Sequence, residues 1–193
     1  MKVLFKTLFL SLIMFASSKT FAQTQKFSQD SIPLIGDEVI FSADIESELS
    51  KKQLFRLTYY YINNKLEAYS GELKPVGEDS IICRVTDYLD ISTSLLSTFA
   101  MYITYDLKFK FDGGLCSMTI DNIEYAEKGS FEAQEKSNRD LDIMKYSGKD
   151  IMIDKQFKSI FTRSGSERIT EATINRFNSI VTDLNFLFEE SED

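Results

Sequence analysis

Three carboxylates lie close together along the chain, Asp106, Asp121 and Glu124, and they are the first residues that raise a question of chemistry. One ionised and one protonated carboxyl group flanking a sugar linkage is the equipment of a glycoside hydrolase. A secreted carboxylate-dependent hydrolase is therefore one expectation. Asp106, however, stands beside Lys108 and Lys110, and neighbouring cations favour the ionised form over the protonated acid that such a reaction needs. Asp121 is accounted for by the backbone irregularity described below. Oxygen ligands also gather at Asp140-x-Asp142 and Glu189-Glu190-Ser191-Glu192-Asp193. Neither stretch has the spaced ligands and central glycine of a calcium loop.

The sequence contains no histidine. That removes the usual activator of serine and cysteine nucleophiles, the commonest general acid–base group and the commonest metal ligand together. No nucleophile–base pair stands out. No catalytic residue, metal ligand or cofactor is assigned, and the expectation leans toward a non-enzymatic domain. Tyr59-Tyr60-Tyr61 is an aromatic run that could hold a sugar or a base. On a helix, consecutive side chains point about 100° apart and cannot share one platform, so the reading is Tyr61 in the core with Tyr59 and Tyr60 on its flanks.

The stretch that must position most of these groups is Phe99 to Tyr125. Phe99, Met101, Ile103, Tyr105, Leu107, Phe109 and Phe111 fall on one face, and Ala100, Tyr102, Thr104, Asp106, Lys108 and Lys110 on the other. Period two with one apolar face marks a half-buried antiparallel strand. The apolar phase resumes at Cys116, Met118 and Ile120, which requires an even number of turn residues, because a slip of one flips every side chain. Asp112-Gly113 would pair Phe109 with Cys116, and Gly113-Gly114 would pair Phe111 with Cys116. The phase then slips to Ile123 and Tyr125, as an inserted bulge residue near Asp121 would cause. Cys83 and Cys116 both occupy apolar phases of predicted strands, and in an exported chain two cysteines invite a disulfide. The case against it applies if those strands flank the 99–111 strand on either side. The two Cα atoms should then be about 10 Å apart, too far for a disulfide, so two buried thiols are expected.

The beginning of the chain reads differently. Lys2 and Lys6 precede the apolar run Leu8 to Phe15, and Thr20-Phe21-Ala22 has the small residues of a cleavage site. This is the pattern of a secretory signal peptide over residues 1–22, and the run is shorter than the roughly 20 apolar residues of a membrane span. No cysteine follows to accept a lipid. The expected mature chain is exported, periplasmic or extracellular, without an integral membrane segment. Cleavage removes Lys2, Lys6 and Lys19 and no acid, leaving 19 basic against 30 acidic residues and a net charge of −11. Such a chain lacks the clustered cations that bind phosphate backbones, so nucleic acid is not an expected partner.

Along the mature chain, residues 23–36 read as a flexible leader and Asp37 to Ala43 as a first strand. Ser50-Lys51-Lys52-Gln53 is a capping box with Leu49 and Leu54 at staple positions, opening a helix that ends near Asn63-Asn64. Tyr69 to Val76 reads as a strand with Pro75 at an edge or end, and Ile81 to Tyr88 as another, with Ile81, Cys83 and Val85 inward. Residues 126–168 read as a polar linker with short irregular elements; within it, the pattern from Ile151 to Phe161 fits a strand entering a short helix without requiring it. Thr173, Phe177, Ile180, Leu184 and Leu187 predict a C-terminal amphipathic helix over 169–190, packed on the same domain.

The stretch Ser50-Lys51-Lys52-Gln53-Leu54-Phe55, the pair Tyr61-Ile62, the strand start Ile81-Ile82 and the hairpin through Asp112-Gly113 to Ile120-Asp121 resemble a known family. It is the domain of unknown function 4468, with a TATA-binding-protein-like fold, found in exported proteins of Bacteroides-type bacteria. The resemblance covers residues 37–125. It implies an α+β fold: an antiparallel sheet of about five strands in β-α-β-β-β-β-α order, with helices on one face. It implies no activity, cofactor or site residue, and the DNA binding of the name-giving fold does not follow from the fold.

The expected role is thus that of a binding or interaction domain. Tyr102, Thr104, Asp106, Lys108 and Lys110 on the outward sheet face are its candidate ligand-binding residues, with Arg84, Thr86 and Tyr88 continuing the surface. A mixed polar and aromatic face suits a protein or a glycan, and it also describes an ordinary solvated sheet face.

Overall fold

The structure is a computed structural model that describes residues 26–75, 77, 79–91, 99–137, 142–157 and 165–192. The expected signal peptide (1–22), Asp140, Ile160, Phe161 and Asp193 lie outside the described residues.

A two-stranded hairpin, β1 (Leu34–Ile35) and β2 (Glu38–Val39), leads into β3 (Phe41–Glu46) and the helix α1 (Lys51–Asn64). The strands β4 (Ser70–Pro75), β5 (Ser80–Asp90), β6 (Ala100–Asp112) and β7 (Leu115–Glu127) follow as a meander. The chain continues through α2 (Lys128–Ser137), β8 (Lys145–Ser147), α3 (Gly148–Met152) and the long helix α4 (Gly165–Glu190). The main sheet is antiparallel in the order β3-β7-β6-β5-β4, with β8 also on β7. The expected α+β class and the strand–helix–four-strand order with a closing helix are therefore present.

The capping box forms as its residue types require: Gln53 Oε1 accepts from the Ser50 amide at 3.0 Å and the Ser50 hydroxyl at 2.6 Å. Helix α1 buries Leu54, Thr58, Tyr61 and Ile62 and leaves Tyr59 and Tyr60 exposed. Helix α4 sets Phe177 edge-on between Phe41 and Tyr105, with ring centroids 5.4 and 5.0 Å away. It begins one turn before its expected start. Burial of its apolar stripe, on the order of 1.5–3 kcal/mol for each large side chain, is what holds it to the sheet.

The central hairpin turns at Gly113-Gly114, because Phe111 pairs with Cys116 and Asp112 with Leu115. Both glycines have positive φ, +42° and +86°, as a type I′ turn demands. Between Thr104–Glu124 and Asp106–Asp121 the register shifts, so Tyr105 alone faces Asn122 and Ile123. The extra residue is Asn122, in the left-handed region at φ +52°. Cys83 and Cys116 are free, buried thiols on the two strands flanking β6.

Three expectations need correction. The leader is docked from Phe27 onward: the Phe27 ring meets Phe41 at 5.0 Å, and its backbone exchanges two hydrogen bonds with the Asn178 side chain. Phe27 and Ile32 both pack against the core, so the segment is held by apolar contacts as well as by the Asn178 amide. The stretch after Tyr125 does not begin as a linker of short irregular elements either, since β7 runs to Glu127 and the ten-residue helix α2 follows without a break. The expected placement of the helices on one face of the sheet also fails for α2, whose Phe131 stacks on the outward-facing Tyr102 while α4 packs on the inward-facing Phe41 and Tyr105. Helix α2 shows no apolar period because Phe131 is its one large apolar side chain against the sheet, and its other contacts there are polar.

Candidate functional site

The outward face of the sheet carries the residues singled out from the sequence. Direct cross-strand pairing sets Tyr88 beside Tyr102, Thr86 beside Thr104, Arg84 beside Asp106 and Ile82 beside Lys108. Asp106 accepts from Arg84 Nη1 at 2.9 Å and from Asn122 Nδ2 at 3.2 Å. Arg84 extends to Glu124 at 3.3 Å and to the Asn122 carbonyl at 2.9 Å, an oxygen that the bulge turns toward it. Lys145 of β8 reaches the same Glu124 oxygen at 3.3 Å. Lys108 closes on Asp121 at 2.6 Å, and Thr86 and Thr104 share a hydrogen bond at 3.1 Å. Lys110 is exposed near the turn. The structure thus brings Thr104, Asp106 and Lys108 into one ladder of paired groups, with Lys110 beyond its end.

Tyr102 has a different setting. It is buried, 4 % exposed, under an aromatic cluster. Phe131 of α2 stacks on it at 4.2 Å with 22° between the rings, while Tyr69 and Tyr88 meet it edge-on at 4.8 and 5.4 Å. Tyr69 and Tyr88 are themselves 49 % and 43 % exposed. The Tyr69 hydroxyl donates to Glu135 at 2.7 Å and the Tyr102 hydroxyl to Glu132 at 3.3 Å, and Lys128 Nζ lies 5.1 Å from the Tyr88 ring centre. The bond to Glu135 raises the Tyr69 phenol above its usual range; partial burial, then the Glu132 charge, does the same for Tyr102. An opening of about 290 Å³ adjoins the cluster, lined by Tyr88, Phe99, Ala100, Glu127, Lys128 and Gly129.

The three carboxylates of the hydrolase expectation, Asp106, Asp121 and Glu124, share one face, and all have basic partners. A glycosidase acid instead sits against an apolar wall that favours its protonated form. Among the described residues, no group of three or more metal-binding side chains is close enough to hold an ion.

A second polar group lies on the helix side of the sheet, and the sequence reading missed it. Asp87 follows Ile81, Cys83 and Val85 in the inward phase of β5 and is 2 % exposed. Its oxygens accept from Arg176 Nε at 2.8 Å, Arg176 Nη2 at 3.2 Å and the Tyr105 hydroxyl at 2.7 Å. An acid in an otherwise apolar phase was the available signal, since such a group must find a partner. Asp87 and its neighbouring tyrosines hold Arg176 firmly in its charged form, outweighing the opposing cost of burial.

Fold and surface together define a small α+β domain whose helix side is a sealed core and whose outward sheet face is partly open. Residues 41–126 match the model of the family described as domain of unknown function (DUF4468) with TBP-like fold, the family that the sequence resembles. Among solved structures, the chain is similar to a DUF4468 family protein from Bacteroides ovatus ATCC 8483, with a TM-score of 0.63 and 15 % identity over 81 % of this chain and 90 % of that one. It is also similar to a TBP-like protein from Parabacteroides distasonis ATCC 8503, with a TM-score of 0.61 and 12 % identity over 82 % of this chain and 97 % of that one. At these identities the likeness establishes the fold alone. No curated protein matches the chain.

Proposed function

We propose that the chain is an exported, non-catalytic domain that binds a protein partner through the outward face of its sheet. The observation that carries this is the group Tyr69, Tyr88 and Tyr102 at one end of that face, two of whose members are about half exposed. Aromatic side chains grouped at a surface and rimmed by polar ladders have the anatomy of an interaction patch. A protein is favoured over a glycan because the tyrosine rings meet at 67° and offer no flat shelf for a sugar face. Export rests on the signal-like segment 1–22. Among the described residues no helix is long and apolar enough to cross a membrane.

The test is site-specific photo-cross-linking in intact cells, combined with fractionation. A cross-linker at Lys110 on the outward face should give one discrete adduct, and one at Lys52 on α1 should give none. The mature chain should begin after Ala22 and fractionate outside the cytoplasm. Adducts of equal yield from both positions, or an uncleaved cytoplasmic chain, would overturn the reading. Binding to a glycan panel without any protein adduct would overturn the choice of partner.

A further inference from the structure

Helix α2 is built unlike the other long helices. Its ten residues, Lys128–Ser137, include one large apolar side chain, Phe131, and none of the ten is fully buried, whereas α4 buries eleven. A helix of this length is marginal by itself in water, and Gly129 in its first turn lowers its propensity further. Packing does not require that glycine. A Cβ there would meet nothing within 4 Å, and Gly129 is not among the positive-φ residues. The helix is therefore weaker than its surroundings demand.

What it covers is a shaped aromatic seat. Phe131 lies nearly parallel to Tyr102, with the Tyr69 ring edge-on to it at 6.0 Å and 78°. Glu132 and Glu135 meet the hydroxyls of Tyr102 and Tyr69. The opening beside Tyr88 is lined by the first turn at Lys128 and Gly129, where Lys128 reaches across to the Tyr88 ring and hydroxyl.

We propose that α2 is a lid occupying its own binding seat: Phe131 holds the place of an aromatic side chain of the protein partner, and displacement of α2 opens Tyr69, Tyr88 and Tyr102 to that side chain. The chemistry the seat accepts is the chemistry it now holds, one ring with acids one and four positions after it. This rests on the binding role proposed above and adds to it that the aromatic end of the face is self-blocked.

Two substitutions test the lid in opposite directions, with hydrogen exchange by mass spectrometry as the first readout. Gly129→Ala should slow exchange of 128–137 about fourfold, and Phe131→Ala should speed it about tenfold or more, with β5–β7 unchanged in both. The second readout is the tyrosine NMR signals during titration with a synthetic peptide of residues 128–137. The peptide should shift them in Phe131→Ala, less in the unaltered protein and least in Gly129→Ala, and a peptide with alanine in place of Phe131 should be inert. Exchange of α2 as slow as that of β6, or peptide responses that are absent or equal in all three proteins, would overturn the lid. That outcome leaves cross-linking at Lys110 unaffected, so failure of the lid and failure of the binding face are separable. A response to a soluble oligosaccharide but not to the peptide would overturn the assignment of an aromatic side chain.

Discussion

Arg176 on α4 and Asp87 on β5 form a two-pronged ion pair across the helix–sheet interface, with Nε 2.8 Å from Oδ2 and Nη2 3.2 Å from Oδ1. The Asp87 side chain is 3 % exposed and the Arg176 side chain 19 %. The pair fixes how α4 sits along β5, a setting that apolar contacts alone leave tolerant of sliding.

Removing one partner strands the other. Arg176→Met should destabilise the fold by about 3–5 kcal/mol, the usual cost of an uncompensated buried charge. The double variant Arg176→Met, Asp87→Leu should recover part of that loss, because no charge is left to desolvate, while the buried Tyr105 hydroxyl loses its acceptor at about 1–3 kcal/mol. Urea denaturation of the single and double variants, with the slope unchanged, checks this. A single variant as stable as the unaltered protein would show that water reaches Asp87.

The hairpin turn gives a paired prediction. A Cβ on Gly114 would stand 2.7 Å from the Ser47 carbonyl oxygen, and the backbone there has φ +86°. Gly114→Ala should therefore cost on the order of 1–3 kcal/mol. Gly113→Asn should be nearly neutral, since nothing lies within 4 Å and φ +42° suits asparagine. Their denaturation midpoints should differ in that order, and equal midpoints would argue against the Phe111–Cys116 register.

The thiols should be inert. Burial pushes Cys83 up to about 11 and Cys116 up to about 12, and only the thiolate attacks a disulfide reagent. Both groups have folded values above their unfolded ones, so their contribution to stability is complete below the unfolded value and fades as pH rises past it. In native buffer an aromatic disulfide reagent should count close to zero thiols, and in urea two. A prompt native reaction of either cysteine would mean that its strand opens locally.

The sequence made the sheet readable where one face is apolar and hid what lies on the other. Alternation from Phe99 to Phe111 fixes the strand and its inward side, and the slip from Ile120 to Ile123 exposes the bulge. Parity alone allowed two turns. The choice of Gly113-Gly114 goes with the close approach of Gly114 to Ser47, a contact between distant parts of the chain. Helix α2 was illegible because Phe131 is its one large apolar side chain against the sheet, so it carries no period. Alternation places Tyr102 on the outward face, and it is α2 that buries it there. Asp87 announced itself as an acid in an apolar phase, but Arg176, 89 residues further on, did not. Asp106 and Lys108 were placed correctly on the outward face, whereas their saturation by Arg84, Asn122 and Asp121 depends on register and on the bulge.

The last prediction concerns alkaline pH. Burial raises the phenols of Tyr61, Tyr105 and Tyr125 well above their usual range, and the negative charges of Asp183 and Asp87 add to this for Tyr61 and Tyr105 respectively. An unfolded phenol ionises near pH 10. A folded value above that means that the protonated phenol contributes stability in full below about pH 10, and that the contribution is lost as pH rises beyond it. These three tyrosines should therefore ionise only as the core opens. Tyrosinate absorbance followed with far-ultraviolet dichroism should show a late, cooperative rise coincident with loss of secondary structure. Tyr125→Phe should reduce that late amplitude by one phenol, and the early phase should be unchanged. A single smooth titration centred near pH 10, with the dichroism intact, would mean that water already reaches the phenols between α4 and the sheet.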